Sequence, residues 1–153
     1  MSTRALLAGC GLAMGSILLM ALPALGASCT ISTTGVSFGT YDVFASSPLD
    51  STGSVTYKCT GNASITVTLD KGGAATFNPR QMLKVAEALN YTLYLDAART
   101  TIWGDGTGGT QVHSNANAPN NQNVTVTIYG RVPASQDVSA GSYSNTITAT
   151  INF

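Results

Sequence analysis

Charge is what this sequence has least of. Only 9 % of its 153 residues are Asp, Glu, Lys or Arg, where a soluble domain carries about 25 %. The seven acidic and seven basic side chains cancel, and no Lys/Arg cluster stands out. Nucleic-acid binding is excluded on that ground, because replacing the counterions of a phosphate backbone requires a basic face. Histidine is scarcer still, with His113 alone. A His/Cys metal centre or a Ser–His nucleophile pair would need more, and no CxxC pair occurs. His113 itself reads as a solvated residue of a polar loop. The run Gly104-Asp105-Gly106-Thr107-Gly108-Gly109 is glycine-rich, but it lacks the Lys-Ser/Thr of a phosphate-cradling loop and has too few oxygen side chains for calcium. A glycosidase carboxylate pair could be drawn from Asp96, Asp105 and Glu87, yet Asp96 and Asp105 stand beside turns, where Asp is locally favoured. The expectation is a protein that is not an enzyme and uses no cofactor and no metal.

The N-terminus carries its own signal. Arg4 is the only early charge, and Ala5 to Leu25 is apolar and small, as in a secretory leader. Ala24-Leu25-Gly26 places small residues at the −3 and −1 positions of a cleavage site, so residues 1–26 are read as a signal peptide and 27–153 as the mature domain. An uncleaved membrane anchor is the alternative, since the run approaches the roughly 20 residues that span a bilayer; Gly9, Gly11, Gly15 and Pro23 argue against it. Leu7-Ala8-Gly9-Cys10 imitates a lipoprotein box but has almost no apolar region ahead of it. After cleavage Cys29 and Cys59 remain, an even pair in an exported chain, which implies one disulfide. Closing a loop of about 30 residues is worth about 3 to 4 kcal/mol in the chain-entropy model.

Along residues 27–153 the dominant period is two, and twenty of these residues are Thr. Val55, Tyr57 and Cys59 alternate with Thr56 and Lys58, and Ile65, Val67 and Leu69 with Thr66 and Thr68. Tyr91, Leu93 and Leu95 repeat the pattern, as do Val124, Val126 and Ile128. The last run is the longest: Tyr143, Asn145, Ile147, Ala149, Ile151 and Phe153 share one face, and only Asn145 interrupts its apolar character. Met82 to Leu89 is too short to decide between a helical turn and a strand. Ser46-Ser47-Pro48, Lys71-Gly72-Gly73, Gly104 to Gly109 and Ser114 to Asn123 read as turns and linkers, and Phe38, Tyr41 and Phe44 as packing around the first strand. Trp103, the only tryptophan, reads as a core filler beside Ile102. Short strands joined by turns, with an early disulfide, predict an all-β, immunoglobulin-like antiparallel sandwich in a single domain.

Specific segments then carry a family resemblance over essentially the whole mature chain. They are Cys29-Thr30-Ile31, Val36-Ser37-Phe38-Gly39-Thr40-Tyr41-Asp42, Pro48-Leu49-Asp50 and Tyr57-Lys58-Cys59. The central block Tyr91 to Thr107 follows, and then Tyr129-Gly130-Arg131-Val132-Pro133 and Ala140-Gly141-Ser142-Tyr143-Ser144-Asn145-Thr146. Together they resemble the spore coat U domain proteins, a family that includes archaic (Csu-type) chaperone-usher pilins.

The resemblance implies an exported subunit whose sandwich lacks its seventh strand, leaving a hydrophobic groove until another polypeptide fills it. It implies a periplasmic chaperone, an usher and neighbouring pilin-like subunits as partners. The expected product is a surface fibre or coat with a role in adhesion or biofilm formation, with no membrane anchor after signal cleavage. The expected contacts of chaperone and donated strand are Ile147, Ala149, Ile151 and Phe153, while Cys29 and Cys59 hold the fold. A polymerising pilin is expected to carry an alternating donor segment ahead of its first cysteine, where this mature chain has only Ala27 and Ser28. That suits a terminating or tip subunit, or a coat component that assembles differently. A self-contained, adhesin- or lectin-like binding module with a complete sandwich is the alternative.

Overall fold

The computed structural model describes residues 26–153; the segment read as a signal peptide lies outside the described residues except for Gly26. Eight strands follow one another: β1 Ser28–Thr34, β2 Leu49–Thr60, β3 Ala63–Leu69, β4 Arg80–Lys84, β5 Glu87–Tyr94, β6 His113–Ala118, β7 Asn123–Val132 and β8 Ala149–Asn152. They form two sheets, a five-stranded one ordered β1-β2-β7-β5-β4 and a three-stranded one ordered β6-β3-β8, with every named pair antiparallel. No helix occurs among the described residues.

The period-two pattern drives this arrangement, because each strand buries one face against the facing sheet. Val55, Tyr57 and Cys59 of β2, Ile65, Val67 and Leu69 of β3, and Tyr91 and Leu93 of β5 are all buried in one core. Trp103 is fully buried, as its sequence context suggests, and its indole N–H donates to the Val67 carbonyl at 3.0 Å. Cys29 and Cys59 face each other in the β1–β2 ladder and are joined by a disulfide.

An immunoglobulin-type sandwich orders one sheet A-B-E-D and the other C-F-G. Here β1, β2, β7 and β5 stand as A, B, E and D, while β3 and β8 stand as C and F. Beside β8, where strand G would pair, no strand stands among the described residues.

Several local readings need correction. The ambiguous Met82–Leu89 stretch is neither helix nor single strand but the hairpin of β4 and β5, turning at Val85 and Ala86 with Val85 at φ 54°. His113 is not in a solvated loop: it opens β6 opposite Val67, half-buried, with its ring 5.9 Å from that of Tyr57 and 6.2 Å from that of Trp103. Half of the linker expected over Ser114 to Asn123, namely Ser114–Ala118, belongs to β6 too, where Asn115 hydrogen-bonds the Tyr57 hydroxyl (3.0 Å) and Ala118 enters the core. Phe44 does not pack around the first strand but is 93 % exposed. The final alternating run is not one long strand, since its ladder with β3 is confined to Ala149–Asn152.

Candidate functional site: an open cleft between the sheets

Two ladder-poor segments leave the sandwich unclosed at one side. The first, 35–44, leaves β1 and folds over the inner face of β7. Gly130 makes room for it: Leu93 and Ser51 stand opposite this glycine, and a Cβ there would come within 2.7 Å of Phe38 Cζ and 2.8 Å of Val36 Cγ1. Phe38 thus occupies the space of an absent side chain and meets Tyr91 edge-on at 5.9 Å. The Tyr41 hydroxyl ties the segment down, donating to the Pro133 carbonyl and accepting the Gln136 N–H, both at 2.9 Å.

The second segment, 138–148, precedes β8. Its backbone-to-backbone hold on the body is sparse. Ser144 exchanges two backbone bonds with Leu83, and Thr148 accepts the Asp70 N–H at 3.1 Å. Asn145, Thr146 and Ile147 make no backbone hydrogen bond among the described residues. Their N–H and C=O groups form a free edge, the feature that invites strand addition. The alternation survives without the ladder. Tyr143, Asn145, Ile147, Ala149 and Ile151 are half-buried and the residues between them exposed, so the inward face is apolar yet nowhere fully covered.

Between these segments lies a cleft of about 1080 Å³. Leu69, Leu89, Tyr91, Leu93, Ile128 and Val132 contribute core side chains to its lining, so it opens directly onto the hydrophobic interior. Of the four residues expected to meet a donated strand, Ile147 and Ala149 line the cleft. Ile151 packs on the core opposite Val67 outside that lining, and Phe153 follows β8 with 59 % of its surface exposed. Sequence reasoning missed the opposite wall, Val36 and Phe38, as well as Met82 and Leu89. The sequence signals there are weak: Val36 and Phe38 alternate for only two positions between Gly35 and Gly39, and Met82 and Leu89 belong to a stretch too short to assign by period.

The polar chemistry at the rim is structural in kind. Asn145 Nδ2 donates to the Tyr91 hydroxyl at 2.8 Å, which accounts for the one polar residue on the inward face; burial pushes the Tyr91 phenol up. Glu87 accepts the Ser139 N–H (2.6 Å) and its hydroxyl, while Lys84 donates to Ser139 Oγ and the Ala140 carbonyl, both at 2.6 Å. The hydrogen bonds from Ser139 hold the Glu87 carboxyl down at about 2. This cluster pins the second cleft wall to the β4–β5 hairpin. Asp96 and Asp105, weighed above as acids, instead accept the N–H groups of Thr100 and Thr101, and of Thr107, in their turns. Arg80 of β4, which sequence reasoning passed over, is fully buried and donates to the carbonyls of Asp70, just past β3, and of Trp103 at 3.0 and 2.7 Å.

Comparison with known proteins agrees with this architecture. The family model for the Spore Coat Protein U domain matches residues 16–150. "Protein U" of Myxococcus xanthus is 32 % identical over 146 residues, covering 84 % of this chain and 79 % of that protein. Among solved structures, the fold is similar to one chain of a CsuC-CsuE chaperone-tip adhesion subunit pre-assembly complex, from archaic chaperone-usher Csu pili of Acinetobacter baumannii. The TM-score is 0.58 at 22 % identity, over 83 % of this chain. The likeness at that identity is one of fold, and this chain spans 40 % of the other's length.

Proposed function

The chain belongs to the Spore Coat Protein U domain family, and from that premise and the open cleft we propose that it is an exported structural subunit of a surface fibre or coat, completed by a strand from another polypeptide. The observation that carries the reading is the free edge at Asn145–Ile147 beside a cleft lined by core residues. An extended segment laid along 143–149 would satisfy that edge and place its alternate side chains inside. Four apolar side chains at about 1.5 to 3 kcal/mol each give about 6 to 12 kcal/mol before ordering costs. That is comparable with the whole stability of a small domain, about 5 to 15 kcal/mol.

In this reading residues 1–26 direct export, and a periplasmic chaperone covers the cleft in transit. An usher and a neighbouring subunit take over at the surface, where the assembly serves adhesion or biofilm formation. Ile147 and Ala149 are the acceptor contacts within the cleft, and Ile151 and Phe153 extend the acceptor edge past it. The test is periplasmic expression of the full chain with and without its cognate chaperone, followed by size exclusion and thermal melting. Aggregation or loss without the chaperone, rescued by it or by an added alternating peptide, is expected. A stable, cooperative monomer indifferent to both would refute the proposal and favour a self-contained binding module.

A further inference from the structure

Asn145 is the only polar side chain on the inward face of the final run, and its surroundings hold it there. Its amide donates to Tyr91, and a Cβ on Gly72 would come within 2.6 Å of its Oδ1, so the backbone of that turn packs directly on the amide. Tyr91 is buried at the ring and held edge-on by Phe38. A phenol has one proton and two lone pairs, and a carboxamide has two N–H groups and a carbonyl. The single contact between them leaves the Tyr91 proton and the Asn145 carbonyl without a partner among the described residues. Both side chains line the cleft, where water can serve them while it stands open.

A strand that fills the cleft expels that water. If its facing side chain is apolar, two polar groups are left dehydrated and unpaired, which is costly. A hydroxyl or carboxamide on the incoming strand can both accept from Tyr91 and donate to Asn145. We propose that the Asn145–Tyr91 pair sets the register of the incoming strand by requiring Ser, Thr, Asn or Gln at one inward position and apolar residues at the others. This rests on the strand-acceptor reading above and adds what alternation cannot supply. A slip of one residue turns every side chain to the wrong face and is already forbidden. A slip of two preserves the alternation, and only a polar pair at one point along the cleft distinguishes it. A single buried Asn fixes register in coiled coils by the same logic.

The test refolds the exported product of the full chain, disulfide intact, with nine-residue peptides in which four Val alternate with Ser and Lys. Four further peptides each replace one inward Val by Thr, a near-isosteric change that exchanges one methyl for a hydroxyl. Because each inward position is scanned, either strand direction is covered. Binding is read by native mass spectrometry and fluorescence titration. One Thr peptide is expected to bind about tenfold or more tighter than the other three. That preference is expected to vanish in Tyr91→Phe, which removes a single hydroxyl, and in Asn145→Leu. If the all-Val peptide binds wild type best and Thr costs the same at every position, the register proposal is overturned while the acceptor cleft stands. If no peptide binds, the acceptor reading itself falls and takes the register proposal with it.

Discussion

Truncating Ile147 to Ala separates a wall of an acceptor cleft from an ordinary surface. In the open molecule this side chain is half-buried on the lining. A fully buried Ile→Ala change costs about 2 to 5 kcal/mol, so half-burial predicts about 1 to 2.5 kcal/mol in the open form. Once a strand lies along 143–149 the side chain is enclosed and the full cost applies. The difference, about 1 to 2.5 kcal/mol, must appear as weaker strand binding, a loss of about 5- to 70-fold. The assay is a cycle: thermal melts of wild type and Ile147→Ala, each with and without a saturating alternating Val peptide, together with the peptide dissociation constants. Val67→Ala is the control, because Val67 is already fully buried between the sheets and outside the cleft. It is expected to destabilise both forms equally, leaving a coupling within about 0.5 kcal/mol of zero. Equal destabilisation of the open and peptide-bound forms by Ile147→Ala would show that the side chain never meets the strand, and the geometry argued here would be wrong.

Three other sites give independent tests. Gly130→Val inserts a side chain where Phe38 and Val36 now lie; it is expected to expel Phe38 and cost about 1 to 3 kcal/mol, the usual range for overpacking. A melting temperature within a degree of wild type would sink that account. Glu87 has a folded pKa held down at about 2, first by the Ser139 hydroxyl and then by its N–H, so the stability it contributes is present above the ordinary carboxylate range near pH 4.5 and lost as pH falls toward 2. Amide exchange at Ser139, corrected for intrinsic pH dependence, should accelerate across that window in wild type, and Glu87→Gln should abolish the step; an unchanged profile refutes the latch. Burial pushes the His113 imidazole below its ordinary value, so the folded state resists its protonation and stability falls as pH drops from about 6.5 through the folded pKa. His113→Gln should flatten that part of the stability–pH curve, and an NMR titration of His113 with an unshifted or raised midpoint would contradict the burial argument.

What the sequence disclosed, and what it hid, follows from range. Period two is a local property, so the inward sets of β2, β3 and β5 were legible in Val55-Tyr57-Cys59, Ile65-Val67-Leu69 and Tyr91-Leu93. The disulfide followed from counting cysteines. Asn145 stood out as a defect in a pattern, but its reason, the Tyr91 hydroxyl, is 54 residues away. His113 misled because its neighbours are polar, whereas its burial is set by Tyr57 of β2 and by Trp103 of the β5–β6 connection. The break in the last strand was hidden for a similar reason: alternation reports which way side chains point, and says nothing of whether a neighbouring strand exists to pair with the backbone. The cleft wall at Val36 and Phe38 depends on the missing side chain of Gly130, a vacancy that no local pattern reveals.

The scarcity of charge and the open cleft bear on each other. A freely dissolved monomer ordinarily relies on net charge to stay apart from its copies, and a net charge near zero promotes association. This chain has seven charges of each sign, and its outward strand positions carry hydroxyls instead, as in the Thr56–Thr125 contact at 2.8 Å across β2 and β7. Hydroxyls hydrate a surface without repelling an identical one. A cleft that exposes core side chains and an unpaired edge is an aggregation hazard in any protein, and least tolerable in one that lacks electrostatic repulsion. The two features are compatible in a chain whose cleft stays covered from export to assembly, and in which close packing of many like copies is the working state. Adding charge to the outward Thr positions should therefore make the unaccompanied chain more soluble and its assembly weaker, with the loss growing as salt is lowered and Coulomb repulsion lengthens its reach.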